Sequence, residues 1–452
     1  CGSDNGLIED GTSSLVAGTN ALASNTNNST YNVALGYEAQ RYMRAPAAAA
    51  YNIAIGYQAL RGSGTPASNT SISNVAVGKG ALLNITSGDS NVAVGSDTLS
   101  QVTTGTFNVG IGSVANTNTT TGSNNVGIGY QSLYGNFTGS SNVGVGYNAL
   151  FSNSSAIGSY NTAVGNGSGT YAHGSNNSFF GSNAGFNTDT GTSITAIGAN
   201  AGSGATGSNA IYMGYDAGTG STGANNIAIG YQALFTNSTA STGAQNIYIG
   251  YAAAGATGGK TGSNNVVQGY NAGNLFSSAA QNTIFGSTSG TTLTTGSSNI
   301  LIGYNTQATT ATTSNFLNIG NVIYGDLSTG KIGIGTVAPR SALDVASGSI
   351  VTKAAVVNAT AVIDFLTGNT QYTTASCGTF RFDNMKDGGS YMFVVKGATS
   401  ATCIFTAFSD VNTTALTVHM PPDHAATTAA KHTIYNMTVV GTEVYISWNP
   451  NY

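Results

Sequence analysis

The chain has 452 residues, of which only 6% are charged, and a formal net charge of −4. With 12 Lys and Arg against 16 Asp and Glu, no basic surface is available to neutralise a row of phosphates, which argues against nucleic acid and anionic membranes as partners. No apolar run reaches the 18 residues or so that a membrane-spanning helix needs, so solubility rests on Asn, Ser, Thr and the backbone.

Residues 1–11 read as a flexible or anchor segment at the N-terminus. Its opening, Cys1-Gly2-Ser3, resembles the lipid-bearing cysteine at the mature end of a bacterial lipoprotein, which implies an anchor at Cys1; a free thiol or a chain boundary are the alternatives.

From residue 12 to 314 one short motif recurs. Asn91-Val92-Ala93-Val94-Gly95 is its plainest copy, and the closing glycines Gly78, Gly95, Gly112, Gly129 and Gly146 follow one another at 17-residue steps. About 17 such copies mean stacked units, not a globule. Within a copy, branched residues alternate with a small one, the period of a strand, so Val92 and Val94 face one way and Ala93 the other. The closing glycine marks a sharp turn or close backbone approach. Three residues later comes a small residue (Ala21, Ala39, Ala59, Ala81), read as a packing point on a short return strand. Each unit is therefore expected to hold two short strands and two turns, and sixteen steps give a rod of roughly 75 Å. The Asn that opens most copies should form a ladder of side-chain amides, broken at Ile194 and Ala210.

A coil of this length encloses little apolar volume, so its Val and Ile faces require other chains. Residues Val92, Val94, Ile53, Ile55, Val143 and Val145 are the expected inter-chain core. The segments Ser14-Leu15-Val16-Ala17-Gly18-Thr19-Asn20-Ala21-Leu22, Asn52-Ile53-Ala54-Ile55-Gly56-Tyr57-Gln58-Ala59-Leu60 and Asn142-Val143-Gly144-Val145-Gly146-Tyr147-Asn148-Ala149-Leu150 resemble the head repeats of trimeric autotransporter adhesins, and related repeats in phage tail fibres and in the trimeric fibre adhesins of predatory bacteria. The resemblance implies a left-handed β-roll, or β-solenoid, in a homotrimeric fibre; the number three comes from it and not from the repeat arithmetic. The period here is longer than in the adhesin heads. The tyrosines after the glycines (Tyr37, Tyr57, Tyr147, Tyr231, Tyr251, Tyr270) read as a structural ladder.

Residues 315–350 read as a connector of short intertwined strands. Its Gly330-Lys331-Ile332-Gly333-Ile334-Gly335-Thr336 segment, with Pro339 and Leu343-Asp344-Val345, is similar to a motif that precedes C-terminal domains in tail-fibre-like proteins. Gly333 and Gly335 lack the third glycine, helix and acidic residue of a dinucleotide site.

Composition changes at residues 351–452, where about seven strands can be drawn between Gly, Asn, Asp and Pro, as a small β-sandwich head requires. Cys377 and Cys403 are an even pair, either a disulfide or two buried thiols. Trp448, Tyr391, Tyr435 and Tyr445 offer rings for sugar stacking, with Asp423 and His424 as polar partners. His419, His424 and His432 have no metal-ligand spacing, and the carboxylates are scattered, so neither a metal, a cofactor nor catalysis is expected. The resulting expectation is a cell-surface or extracellular homotrimeric adhesin whose tip binds a glycan or other component of a target cell, held to the outer membrane if Cys1 is lipidated, or else a virion tail fibre. The alternatives are a purely structural fibre subunit and a polysaccharide-degrading tailspike.

Overall fold

The computed structural model describes residues 8–9, 13–24, 30–44, 49–152, 157–236, 240–255, 258–346, 361–396, 400–409 and 414–450. Cys1 therefore lies outside the described residues. The described chain is all-β, two three-residue 3-10 turns aside, and falls into two compact units, residues 1–344 and 345–452.

The first unit is a β-solenoid. Seventeen three-residue strands, from Leu15–Ala17 to Ile300–Ile302, stack in parallel and in register. Val75, Val92 and Val109 lie one above another, as do Ala76, Ala93 and Gly110. The strand Phe316–Ile319 continues the stack past the expected limit at 314, with Leu317, Asn318 and Ile319 beside Ile300, Leu301 and Ile302. The period persists there, because Gly320 follows Gly303 by the same 17 residues, but a buried Asn318 takes the position usually held by an apolar residue.

Each rung holds one strand, not two. Beyond the closing glycine the backbone alternates in hand: in the rung from Gly95, Asp97 and Leu99 have φ of 54° and 52°. Left-handed residues at every second position cannot extend into a strand. They turn successive N–H groups toward opposite neighbours instead. The Asp97 N–H donates to Lys79 O at 2.7 Å in the rung before, and the Leu99 N–H donates to Ala115 O at 3.0 Å in the rung after. The backbone is thus hydrogen-bonded without a second sheet, which satisfies buried polar groups that would otherwise destabilise the coil.

Two glycine columns allow this spacing. A Cβ on Gly56, where φ is +132°, would stand 2.7 Å from Gly78 O in the next rung. A second column, through Gly88, Gly105, Gly122 and Gly139, meets the next rung's carbonyl in the same way. The asparagine ladder ties the second column into the stack. Oδ1 of Asn74 accepts from the Asn91 backbone N–H at 2.8 Å and its side-chain amide at 3.1 Å, while Asn91 Nδ2 donates to Gly105 O at 2.9 Å. Ile194 and Ala210 interrupt it, although the Ile194 N–H still donates to Asn177 Oδ1 at 2.9 Å.

The coil interior is filled by the middle residue of each strand and the residue four past the glycine, in reciprocal sizes. Small Ala54, Ala76 and Ala93 share the interior with Leu60, Leu82 and Leu99, all fully buried. Where the strand residue is large, as at Phe179, Tyr212 and Ile284, the other position is Gly185, Gly218 or Gly290, each so placed that an added Cβ would strike that large side chain. In the rungs of Ala163 and Ala196 both positions are small, with Gly169 and Gly202, and Phe179 and Tyr212 of the next rung reach into that space, so volume is shared between neighbouring rungs, as close packing requires.

Both ends of the stack carry antiparallel strands, Ile8–Glu9 on the first rung and Ile323–Asp326 on the last, the latter paired in turn with Lys331–Ile334. Reversed strands of this kind cover edges that would otherwise template further pairing. Past Pro339, Asp344 is clamped by Arg340, whose Nε and backbone N–H donate to Oδ2 at 2.9 and 3.0 Å and whose Nη2 donates to Oδ1 at 3.2 Å; these bonds hold the carboxyl down to about 2.

In the second unit eight strands are hydrogen-bonded in the order Val362–Asp364, Thr379–Asp383, Ile404–Phe408, Ala415–His419, Glu443–Asn449, Thr433–Val440, Ser390–Val395 and Thr370–Thr373. Ala415–His419 joins two halves, pairing antiparallel with Ile404–Phe408 and parallel with Glu443–Asn449. The strand Thr370–Thr373 is an eighth beside the about seven expected from the sequence. Phe380, Phe382, Phe393, Phe405, Tyr435 and Met437 form its core, with Phe382 and Phe393 centroids 5.4 Å apart, edge to face. Cys377 and Cys403 form a disulfide with Cα atoms 4.6 Å apart.

Candidate binding surfaces

The residues that flank each strand's middle position point out of the coil. Ile53 and Ile55 are 37% and 39% exposed, Val94 is 37% exposed, and Val92, Val143 and Val145 are half-buried. All six residues expected in an inter-chain core thus lie on the coil's outer face, while Ala54, Ala93 and Gly144 fill its interior. Through exact register they form a stripe that continues in Ile111, Ile128, Phe180, Ile197, Met213, Phe285 and Ile302. Thr162, Ser178, Thr195 and Thr283 interrupt the column that opens the strands and Gln268 the column that closes them, but from Ile53 to Val145 both columns are unbroken Val and Ile, the kind of exposed apolar run that marks an interaction surface.

Beside it run tyrosine columns. Tyr215, Tyr231, Tyr251 and Tyr270 stack nearly parallel with centroids 5.3, 4.9 and 5.1 Å apart, and Tyr37 with Tyr57 and Tyr130 with Tyr147 repeat the arrangement at 5.2 and 5.5 Å. Stacked rings turn their faces to one another and only their edges and hydroxyls to solvent, so they do not offer the flat platform that a sugar ring needs.

In the second unit four of the six candidate ligand residues come together. Trp448 Nε1 donates to Asp423 Oδ1 at 3.3 Å, the His424 ring meets the Trp448 ring edge to face at 4.9 Å, and His424 Nε2 lies 3.3 Å from the Tyr435 hydroxyl. Partial burial lowers the His424 pKa, so the imidazole is held neutral over more of the pH range. Tyr435 itself is fully buried, its phenol pushed up to about 12 by desolvation. It supports the cluster from below and has no face for a ligand. Tyr391 stands apart and is also core: its hydroxyl accepts the Lys386 N–H at 2.6 Å and its ring packs on Phe365 at 4.7 Å. Tyr445 is half exposed, but its face is taken by His419, stacked at 4.9 Å, whose Nε2 contacts Glu443. Trp448, Asp423 and His424 are what remains open. Among the described residues no three of His, Cys, Asp and Glu converge as a metal site would require.

Two further features escaped the sequence reading. An open groove of about 460 Å³ lies between the last rungs and the connector, bounded by Thr309, Asn315, Phe316, Asp326 and Pro339. On three successive rungs, Ser152 Oγ lies 3.1 Å from His173 Nε2 and His173 Nδ1 lies 2.8 Å from Asp189 Oδ1. This is the connectivity of a nucleophilic triad, yet Ser152 is fully buried and meets no solvent in this conformation. Residues 21 and 16 apart in sequence reveal such a contact only once the rung period and its insertions are known.

No protein family matches the chain, and neither curated proteins nor solved structures provide a match.

Proposed function

We propose that the chain is one strand of a homotrimeric extracellular fibre, in which the outward Val and Ile stripe of three coils meets around a common axis and the C-terminal unit is the tip that binds a surface glycan of a target cell. The observation that carries the assembly is the unbroken apolar stripe through Ile53, Ile55, Val92, Val94, Val143 and Val145. Covering it removes apolar area at roughly 25 cal/mol per Å², and a closed rotation leaves no stripe to recruit further copies. Three, rather than two, rests on the resemblance of the repeats to trimeric adhesin heads. Charge supports the arrangement too, since the stripe residues contain no ionisable group to desolvate.

The binding role rests on Trp448, Asp423 and His424: an indole edge fixed by a carboxylate and a neutral imidazole supplies one apolar surface and several polar atoms, the composition of a small saccharide subsite. Purified full-length chain tested on a glycan array is expected to bind a restricted set of saccharides, and Trp448→Ala to abolish that binding without changing chain number. Wild-type protein that binds nothing on glycan arrays or whole cells would leave the tip as a cap, the structural-fibre reading; release of reducing ends from polysaccharide would instead favour a tailspike. The fibre's place on a cell surface, lipid-anchored through Cys1, or on a virion is part of the same proposal, tested by mass measurement of the native N-terminal peptide.

A further inference from the structure

We infer that the column Tyr215, Tyr231, Tyr251 and Tyr270 is a site of oxidative modification, where successive rungs of one chain become joined by carbon–carbon bonds between tyrosines. Dityrosine forms when two phenols each lose one electron and one proton and the resulting radicals couple at ring carbons next to the hydroxyl. The two hydrogens on the coupling carbons then move to the oxygens, so the pair as a whole gives up two electrons and two protons. A peroxide is the oxidant, acting through a haem peroxidase, and each equivalent is reduced to two waters. Coupling competes with every other fate of a short-lived radical, so the decisive quantity is the local concentration of a second phenol.

This column supplies it. The rings are held 4.9 to 5.3 Å apart and within 17° of parallel by strands in strict register, and each is between 40% and 52% exposed. Exposure admits the oxidant at the ring edges and leaves the side chains room to swing from face-to-face to edge-to-edge, as the new bond requires. Four consecutive rings also let a radical formed at one move to a neighbour and still find a partner. Two exposed tyrosines have no such partner: Tyr304 is 77% exposed and Tyr160 is 65% exposed, and among the described residues neither has an aromatic ring stacked on it. They are internal controls for exposure without pairing. The bonds would staple rungs that are otherwise held by backbone hydrogen bonds and, from Asn226 onward, the asparagine ladder, making local opening of the stack costlier. This inference does not depend on the number of chains in the fibre.

The test treats dilute full-length protein with hydrogen peroxide and a haem peroxidase, then identifies cross-linked peptides by mass spectrometry. Links Tyr215–Tyr231, Tyr231–Tyr251 and Tyr251–Tyr270 are expected in yields at least about tenfold above those from urea-unfolded chain, as held proximity implies. Tyr231→Phe combined with Tyr251→Phe keeps the stacked rings but removes the middle phenols; it should abolish this set while the Tyr37–Tyr57 and Tyr130–Tyr147 links persist and report an intact stack. Equal yields from folded and unfolded chain, links concentrated at Tyr160 and Tyr304, or a predominance of like-to-like links such as Tyr231 with Tyr231, which only separate chains can form, would each overturn the inference.

Discussion

The two units of the chain solve the same problem in opposite ways. The C-terminal unit buries seven aromatic side chains and two methionines around one centre, among them Phe380, Phe382, Phe393, Phe405, Tyr435 and Met437, and adds a disulfide across 26 residues. The solenoid buries mostly Ala, Gly, Leu and Asn, and takes its order from backbone hydrogen bonds, two glycine columns and an amide ladder repeated rung after rung. The Val and Ile that flank the middle of most strands face outward. The difference teaches where tolerance lies: the aromatic core responds to side-chain volume, whereas the stack responds to a single added Cβ at the wrong place.

The largest effect expected from that contrast is at the glycines. Gly56→Ala combines a positive φ with a collision against Gly78 O, and should destabilise the solenoid by more than about 3 kcal/mol, with local loss of the stack. Gly441→Ala in the C-terminal unit, at φ +61° with open space around it, should cost only about 1 kcal/mol. Denaturant unfolding of both variants checks the pair; equal costs would break the comparison.

Volume exchange inside the coil comes next. Tyr212→Ala leaves a cavity and is expected to cost about 3 to 5 kcal/mol, and Gly218→Leu alone drives a side chain into the Tyr212 ring. Combined, the two rebuild the Ala and Leu pairing of the rungs at Ala93 and Leu99, where Leu already adopts the required φ of 52°. The double variant should recover at least about 2 kcal/mol relative to the sum of the single changes, a coupling readable in a double-mutant cycle. No recovery would mean that the reciprocal sizes do not govern packing.

Reducing Cys377–Cys403 should lower the stability of the C-terminal unit by about 2 to 4 kcal/mol and leave the solenoid transition where it was. A thermal scan with and without reductant separates the two transitions; a shift in the solenoid would argue against their independence.

The last effect is electrostatic and confined to alkaline pH. Lys260 is buried among neutral groups, its Nζ donating to Gly258 O at 2.8 Å, and desolvation brings its pKa from 10.5 down to about 8. Between those values the unfolded chain holds a proton that the folded chain does not, so stability should rise as pH climbs from 8 to 10.5 and stay at its reduced level below 8. Lys260→Met should flatten that rise, visible as a pH-independent midpoint in this window; an unchanged slope would place its origin elsewhere.

The rung period, the asparagine ladder and its two gaps were readable in the sequence because each is a residue identity at a fixed step. The outward direction of Val92 and Val94 was readable from alternation alone. The missing return strand was not, because Leu99 and Asp97 are ordinary residues whose left-handed backbone is imposed by hydrogen bonds to the rungs on either side. The second glycine column was hidden among turn formers that look alike. In the C-terminal unit aromatic identity pointed to Trp448, Tyr391, Tyr435 and Tyr445 alike, and only packing separates the half-buried Trp448 from Tyr391 and Tyr435, which the core consumes. The contact of His173 with Ser152 and Asp189 depends on rungs of unequal length, a feature that one period cannot convey.

The fibre reading stands on what covers the outer Val and Ile stripe, and chain number reports this most directly. Native mass measurement of the full-length protein in non-denaturing buffer should give a species of three chains that persists after reduction of the disulfide and dissociates only when the solenoid unfolds. A stable, monodisperse single chain at the same concentration would contradict the account.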